Sequence, residues 1–216
     1  MSVWSKGREE ALGPGAFHLR HALPIEVQRA LVNSCRALMD GPVPAYVPSV
    51  RGGGTMRVRM LCLGRHWNGR TYRYETTRSD FDQLPVPPLP EEFRTLARDL
   101  AASVGMSIEA DICILNLYDT EGRLGLHQDK DERAASIAMG VPVVSVSLGD
   151  TGRFLFGGTR RKDPVVPILL ESGDVFVFGG PARLRYHGVS RILPGTAPPA
   201  LGLIGRLNLT FRQYDA

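Results

Sequence analysis

The sequence predicts an α+β protein that is mainly β, a sandwich or jelly roll with helices ahead of it. Three observations carry this. Two segments within the first 105 residues repeat their apolar positions at helical spacing. After about residue 111 that period disappears. From there on, short β-like runs are separated by Gly, Pro and Asp, the pattern of layered antiparallel strands.

The first helix is expected in "PIEVQRALVNSCRALMDG" (24–41), with Pro24 in its first turn and Gly41 after its end. Val27, Leu31, Ser34 and Leu38 fall on one face. Prolines 42, 44 and 48 follow. "TMRVRMLCLG" (55–64) alternates Met56, Val58, Met60 and Cys62 with Thr55, Arg57, Arg59 and Leu61, which reads as a strand with a basic face. "PLPEEFRTLARDLAASVG" (88–105) is a second helix with Phe93, Leu96, Ala97, Leu100 and Val104 inward and Gly105 as its stop. The strands expected beyond are "ICILNLY", "VVSVSLG", "RFLFGG", "VPILLESG", "DVFVFGG", "RYHGVS" and "GRLNLTFRQ", the last preceded by a Pro/Gly loop, "ILPGTAPPALG" (192–202). The helices would pack outside this β core.

Composition narrows the function classes. At 43% hydrophobic residues the chain can bury a core. No run approaches the roughly 18–20 apolar residues of a membrane span, and the first residues lack a signal-peptide core. Cys35, Cys62 and Cys113 are odd in number and form no CxxC pair, which argues against a disulfide framework or a thiolate zinc site and makes a reduced, cytoplasmic protein the expectation. The net charge of +4 is mild. Its distribution is not: Arg51, Arg57, Arg59, Arg65, Arg70, Arg73 and Arg78 have Glu75 as the only acid among them. Such a stretch suits a nucleic-acid or other anionic partner, although an arginine-rich composition also explains it.

The chemistry centres on "LGLHQDKDE" (124–132). In a strand, residues i and i+2 share a face, so His127 and Asp129 can point into one cavity. "RYHGVS" supplies a third group, His187. Two His and one carboxylate form the facial triad of non-haem Fe(II) oxygenases, which leaves coordination positions for substrates. HxD pairs are also common by chance. The last strand adds weight. Arg206, Asn208, Thr210 and Arg212 alternate with apolar Leu207, Leu209 and Phe211. Two arginines on the inner face of a jelly roll need anionic partners, and a dicarboxylate such as 2-oxoglutarate offers one carboxylate for each. Asn116 and Tyr118, one pleat apart, are further donors. A solvated edge-strand face is the alternative.

Together, "LNLY", "LHQDKDE", "VSVSLG", "FGG", "LLESGDVFVFGG", "RLRYHGV" and "RLNLTFR", in this order between "GGGTM" (52–56) and the C-terminus, resemble the AlkB family of Fe(II)/2-oxoglutarate dioxygenases, above all its bacterial members that repair alkylated DNA. The resemblance implies a double-stranded β-helix, which is a form of jelly roll, and a single domain over 1–216. Within it, 1–50 is an N-terminal extension with a helix, 51–85 a β nucleotide-recognition lid and 111–216 the catalytic core. It implies that His127, Asp129 and His187 hold Fe(II). Arg206 would bind the distal carboxylate of 2-oxoglutarate and Arg212 would lie near the carboxylate beside its keto group. Asn116, Tyr118, Asn208 and Thr210 would complete that pocket, with O2 as the second cosubstrate.

The reaction so implied is oxidative demethylation of bases such as 1-methyladenine and 3-methylcytosine. Hydroxylation of the methyl gives an unstable hemiaminal that releases formaldehyde, alongside succinate and CO2. The implied partner is single- or double-stranded alkylated DNA, with RNA also open, bound by a monomer away from membranes. These bases are cationic, and a flat cation favours aromatic faces and a carboxylate. Trp67, Tyr72 and Tyr74 in "HWNGRTYRYE", with Asp131 and Arg161, match the family's substrate contacts, while ordinary packing is the alternative for the aromatic residues. The sequence departs from the family pattern in a longer, more apolar loop after Asp131, in Phe178 where some members carry Trp, and in a shorter Trp-to-Tyr segment. Two other readings stand beside a nucleic-acid demethylase: a 2-oxoglutarate dioxygenase acting on protein or a small molecule, and a non-catalytic jelly-roll binding module.

Overall fold

The computed structural model describes residues 8–216. The reading of the extreme N-terminus as lacking an apolar leader concerns positions outside the described residues. The elements run β1 (Arg8–Ala11), β2 (Ala16–Arg20), α1 (Ile25–Met39), β3 (Arg59–Leu63), β4 (His66–Asn68), β5 (Arg73–Glu75), α2 (Glu91–Ala102), β6 (Ile112–Tyr118), β7 (Leu124–His127), α3 (Ala134–Ala138), β8 (Val143–Gly149), β9 (Thr151–Phe156), β10 (Val166–Leu170), β11 (Val175–Phe178), β12 (His187–Leu193) and β13 (Arg206–Arg212). Two of the strands were not expected. β1 is four residues long and charged, β2 is only five residues long, and pairing with β11 is what makes a strand of β2.

The major sheet has the order β1-β2-β11-β8-β13-β6-β3 and the minor sheet β10-β9-β12-β7. From β6 onward the chain passes back and forth between them, apart from the β9–β10 hairpin within the minor sheet, the jelly-roll arrangement expected from the sequence. One apolar cluster fills the space between the helices and the outer face of the major sheet, with Phe93, Leu96 and Leu100 of α2 against Leu115, Leu207, Leu209 and Phe211. A second, rich in aromatic rings, lies on the inner face and includes Phe154, Phe156, Phe176 and Phe178. Helices therefore pack outside the β core. Two details of the helix-and-strand reading change. The buried face of α1 is Gln28, Leu31, Val32 and Cys35, rotated from the stripe expected, because Gln28 bonds Leu23 O and takes a bond from Ser172. The basic face of β3 is confined to its start: Leu61 is fully buried and Leu63 likewise, both beneath the helices.

Register positions the site. β13 is flanked by β6 and β8, so Arg206, Asn208 and Thr210 lie opposite Tyr118, Asn116 and Ile114 on one side and Gly149, Ser147 and Ser145 on the other. Strand alternation turns this polar row inward and Leu207, Leu209 and Phe211 toward the helices. Both rows of β13 are buried.

Candidate active site

His127 ends β7, Asp129 follows it by two residues, and His187 opens β12, where His187 and His127 are paired across the minor sheet. One ligand atom from each of the three residues lies within 4.8 Å of the others. Asp129 Oδ1 is 3.4 Å from His127 Nε2 and Oδ2 is 3.5 Å from His187 Nε2. Gly188 lets β12 approach this closely, since a Cβ there would meet Leu124 O at 2.6 Å.

The imidazoles are oriented from behind. His127 Nδ1 lies 2.9 Å from Gly125 O and His187 Nδ1 lies 3.0 Å from Arg185 O. A carbonyl oxygen only accepts, so each Nδ1 carries the proton and Nε2 is the atom turned toward the other two groups. Burial, then the neighbouring His127, push His187 below its ordinary value, favouring the neutral form that ligates. Burial alone would raise the Asp129 carboxyl, but Arg212 and then His187 outweigh it and hold it well below the usual carboxylate range. A converging set of two imidazole nitrogens and one carboxylate fits Fe(II) with open positions.

Arg206 is 3% exposed and lies in no ion pair among the described residues. Its Nη2 donates to Ser147 Oγ at 2.9 Å and its Nη1 to Leu170 O at 3.3 Å, while Nε has no partner. Gly152 leaves room for this group: a Cβ there would meet Nε at 2.9 Å. Burial pulls the Arg206 guanidinium below its ordinary value, against an opposing pull from Tyr118 and Asp174. Arginine stays charged in proteins, so this is a buried cation with an unused donor, and a carboxylate satisfies both needs. Burial also pushes the Tyr118 hydroxyl up to about 12, which keeps it a donor at neutral pH. Asn116 Nδ2 donates to Asn208 Oδ1 and Thr210 Oγ1, and Asn208 Nδ2 to Ser145 Oγ and Val146 O. These residues fit one end of a dicarboxylic cosubstrate.

Arg212 is engaged differently. Its Nη2 sits 2.7 Å from Asp129 Oδ1, its Nη1 3.6 Å from Glu132 Oε1, and its Nη1 also donates to the Tyr74 hydroxyl. Glu132, 7% exposed, is held in turn by Arg183 Nη2 at 3.0 Å. Arg183 also bonds Asp129 O and Val141 O. Neither Glu132 nor Arg183 was expected here. Both would be read as surface charges, and only the tertiary arrangement buries them. Ser145 and Ser147 were also passed over, though polar residues two apart in the apolar "VVSVSLG" were a visible signal.

The triad, Arg206, Asn116, Tyr118, Asn208, Thr210 and Arg212 all line one cavity of about 570 Å³. Trp67, Tyr72, Asp131 and Arg161 line it as well. Trp67, in β4, donates from Nε1 to Asp131 Oδ2 at 2.7 Å. Tyr72 packs edge-on against Trp67 at 5.7 Å and carries Arg51 5.2 Å above its ring. Arg161 Nη1 bonds Leu126 O at 2.9 Å. Tyr74 is placed elsewhere. At 6% exposure it sits in the inner apolar cluster, outside that lining, because the alternation of β5 turns it away from its neighbours and onto Arg212. Phe178 meets the His187 ring at 4.9 Å. The loop after Asp131 carries the short helix α3, tied down by Ser136 Oγ donating to Tyr214 O.

A jelly roll with a His–Asp–His triad and a buried, unpaired arginine in one cavity defines a class, the non-haem iron oxygenases that use a keto-acid cosubstrate. Residues 15–212 match the family described as the 2OG-Fe(II) oxygenase superfamily, and the chain belongs to that family. It is 43% identical over 222 residues to the DNA N(6)-methyladenine demethylase ALKBH1C of Arabidopsis thaliana, a match that covers 93% of this chain and 49% of that protein. It is 38% identical over 208 residues to the alpha-ketoglutarate-dependent dioxygenase AlkB of Salmonella typhimurium, over 95% of this chain and 93% of that one. Among solved structures, one titled "The structure of OsALKBH1" superposes with a TM-score of 0.89 at 40% identity, over 95% of this chain and 100% of that chain. The chain spans about half the length of the Arabidopsis relatives it matches.

Proposed function

We propose that this chain is an Fe(II)- and 2-oxoglutarate-dependent demethylase of N-methylated bases in DNA. The observation that carries it is the continuity of one cavity from Arg206 and the triad to Trp67, Tyr72 and Asp131. His127, Asp129 and His187 would hold the iron. Arg206, with Ser147 and Tyr118 beside it, would take one carboxylate of 2-oxoglutarate. Iron, O2 and 2-oxoglutarate supply the oxidising chemistry when bound, and the protein supplies position and exclusion of water.

The residues of the chain do the rest. The aromatic cluster on the inner face keeps the region behind the triad dry. Trp67 offers a ring face to a base turned out of its stack, and extrusion costs a few kcal/mol, less from a single strand. Residues 51–85 act as the lid in this reading, and its exposed arginines hold the flanking phosphates. The hydroxymethyl product collapses to formaldehyde and the unmethylated base, still in its strand: the N–CH2 bond breaks, its electron pair stays on the base nitrogen, and the hydroxyl proton passes to water without a protein acid.

Asp131 favours 1-methyladenine and 3-methylcytosine, because a carboxylate bonded to Trp67 beside the cavity complements a cationic base. A second reading, N6-methyladenine, is favoured by the names of the plant relatives. The deciding experiment is formaldehyde release from otherwise identical oligonucleotides carrying each of the three bases, in DNA and RNA. Release from the two cationic lesions above N6-methyladenine supports the first reading, and the reverse order supports the second. Release only from methylated peptide or a small molecule would move the substrate out of nucleic acid. Cys35, Cys62 and Cys113 are all buried and free, which is compatible with a reducing compartment.

A further inference from the structure

A line of arginines crosses the outer face of the minor sheet, away from the cavity. Arg57 bridges Arg123 in antiparallel fashion at the start of β7. β7 pairs with β12, and there Arg191 lies directly opposite Arg153 of β9. Four adjacent segments thus each carry one arginine, all exposed. At about 4.8 Å between strands the line spans roughly 14 Å.

The fold takes trouble to expose it. β12 carries a bulge: Val189 pairs with Phe154 and Arg191 with Arg153, so Ser190 is the extra residue. Val189 and Ile192 both point into the inner apolar cluster, which leaves Ser190 and Arg191 together on the outer face. Ser190 Oγ donates to Arg153 O at 3.1 Å. Between β12 and the turn ahead of β7 lies a shallow cleft of about 300 Å³ lined by Arg123, Ser190 and Arg191 with Glu121 at its edge. None of the four arginines enters an ion pair among the described residues. Like charges placed opposite one another across strands destabilise a sheet, so the arrangement calls for an anion from outside.

We propose that this face is a phosphodiester track, a docking surface for the nucleic-acid backbone leading away from the methylated base. The proposal rests on the reading of the substrate as nucleic acid. Met56 and Leu124 line the cavity, and their sequence neighbours Arg57 and Arg123 alternate to the other face, so the track begins on the outside of the cavity wall. Its span is on the scale of a few successive phosphates of one strand. Guanidinium forks suit this partner, and the absence of aromatic residues along the line makes contact with the backbone, not the bases, the expected mode.

The test is the triple variant Arg123→Gln/Arg153→Gln/Arg191→Gln, with the triple Arg→Lys variant as its charge-retaining control. Fluorescence anisotropy with an unmethylated 20-nucleotide single strand is read across a salt series, and formaldehyde release is read from a methylated trinucleotide. The glutamine variant should bind the long strand roughly tenfold more weakly, with a salt slope smaller by about 2. Lysine should restore most of the slope, and trinucleotide turnover should stay unchanged. Wild-type affinity and slope in the glutamine variant would overturn the track while leaving the demethylase reading standing. Absent trinucleotide turnover in wild type, with long-strand binding lost in the variant, would overturn the demethylase reading and leave the track. Equal loss of trinucleotide turnover and long-strand binding would also overturn the track, since the substitutions would then act on the fold.

Discussion

Arg212 Nη2 lies 2.7 Å from Asp129 Oδ1, so the last residue of the RxNxTxR strand secures the carboxylate of the HxD motif. Burial alone would lower the Arg212 guanidinium, but Asp129, Tyr74 and Glu132 together raise it. The two motifs, far apart in sequence, form one electrostatic unit with Glu132 and Arg183.

Asp129→Ala should therefore do more than remove a metal ligand. Iron-dependent turnover should vanish, and because Glu132 compensates only in part, stability should fall by about 2–3 kcal/mol. Asp129→Asn keeps the shape and should lose turnover with a smaller loss. Urea unfolding and turnover, measured on both variants, separate the two effects. Normal turnover in either one contradicts the metal assignment.

Arg206→Lys keeps a charge but loses the planar fork that meets Ser147 Oγ and Leu170 O. The KM for 2-oxoglutarate should rise about 10- to 100-fold, with much of kcat recovered at saturation. An unchanged KM would mean that the cosubstrate binds elsewhere.

Trp67→Ala and Asp131→Asn divide the substrate question. Trp67→Ala should raise KM for any methylated base roughly tenfold or more and spare 2-oxoglutarate turnover without DNA. Asp131→Asn should impair the cationic lesions more than N6-methyladenine, because only the former lose a charge partner. Equal loss of 2-oxoglutarate turnover in Trp67→Ala would make Trp67 structural.

Asp174, 2% exposed, accepts His18 Nε2 at 2.8 Å, His21 N at 2.8 Å and Glu171 N at 3.0 Å, and so ties β2 to the β10–β11 turn. Burial alone would raise its carboxyl, yet these bonds hold it below its ordinary value. A lowered carboxyl stabilises the fold fully above the unfolded-state value and loses that contribution as pH falls through the folded-state value. Asp174→Asn should cost about 1–3 kcal/mol at pH 7, and the gap from wild type should shrink below about pH 4. Urea midpoints across that range measure it. A gap that widens in acid contradicts the assignment.

Where a residue's neighbours are its own strand, the sequence was readable. The alternation of β13 and β6 showed both the polar inner row and the apolar outer row. The triad was legible as well, although β7 ends at His127 and Asp129 lies just beyond it. What escaped depends on distant partners. β2 is a strand because of β11. Tyr74 is core because Arg212 reaches it, and the five-residue α3 is too short to show a helical period. Glu132 and Arg183 look like surface charges until the fold closes over them.

Succinate and formaldehyde measured together in one reaction, with Fe(II), 2-oxoglutarate and an oligonucleotide carrying 1-methyladenine or 3-methylcytosine, decide whether this chain is a base demethylase. A demethylase should give the two products in equal amounts, both dependent on iron and both lost in Asp129→Ala. Succinate formed at the same rate with or without the oligonucleotide, and no formaldehyde, would mean that a methylated base is not the substrate.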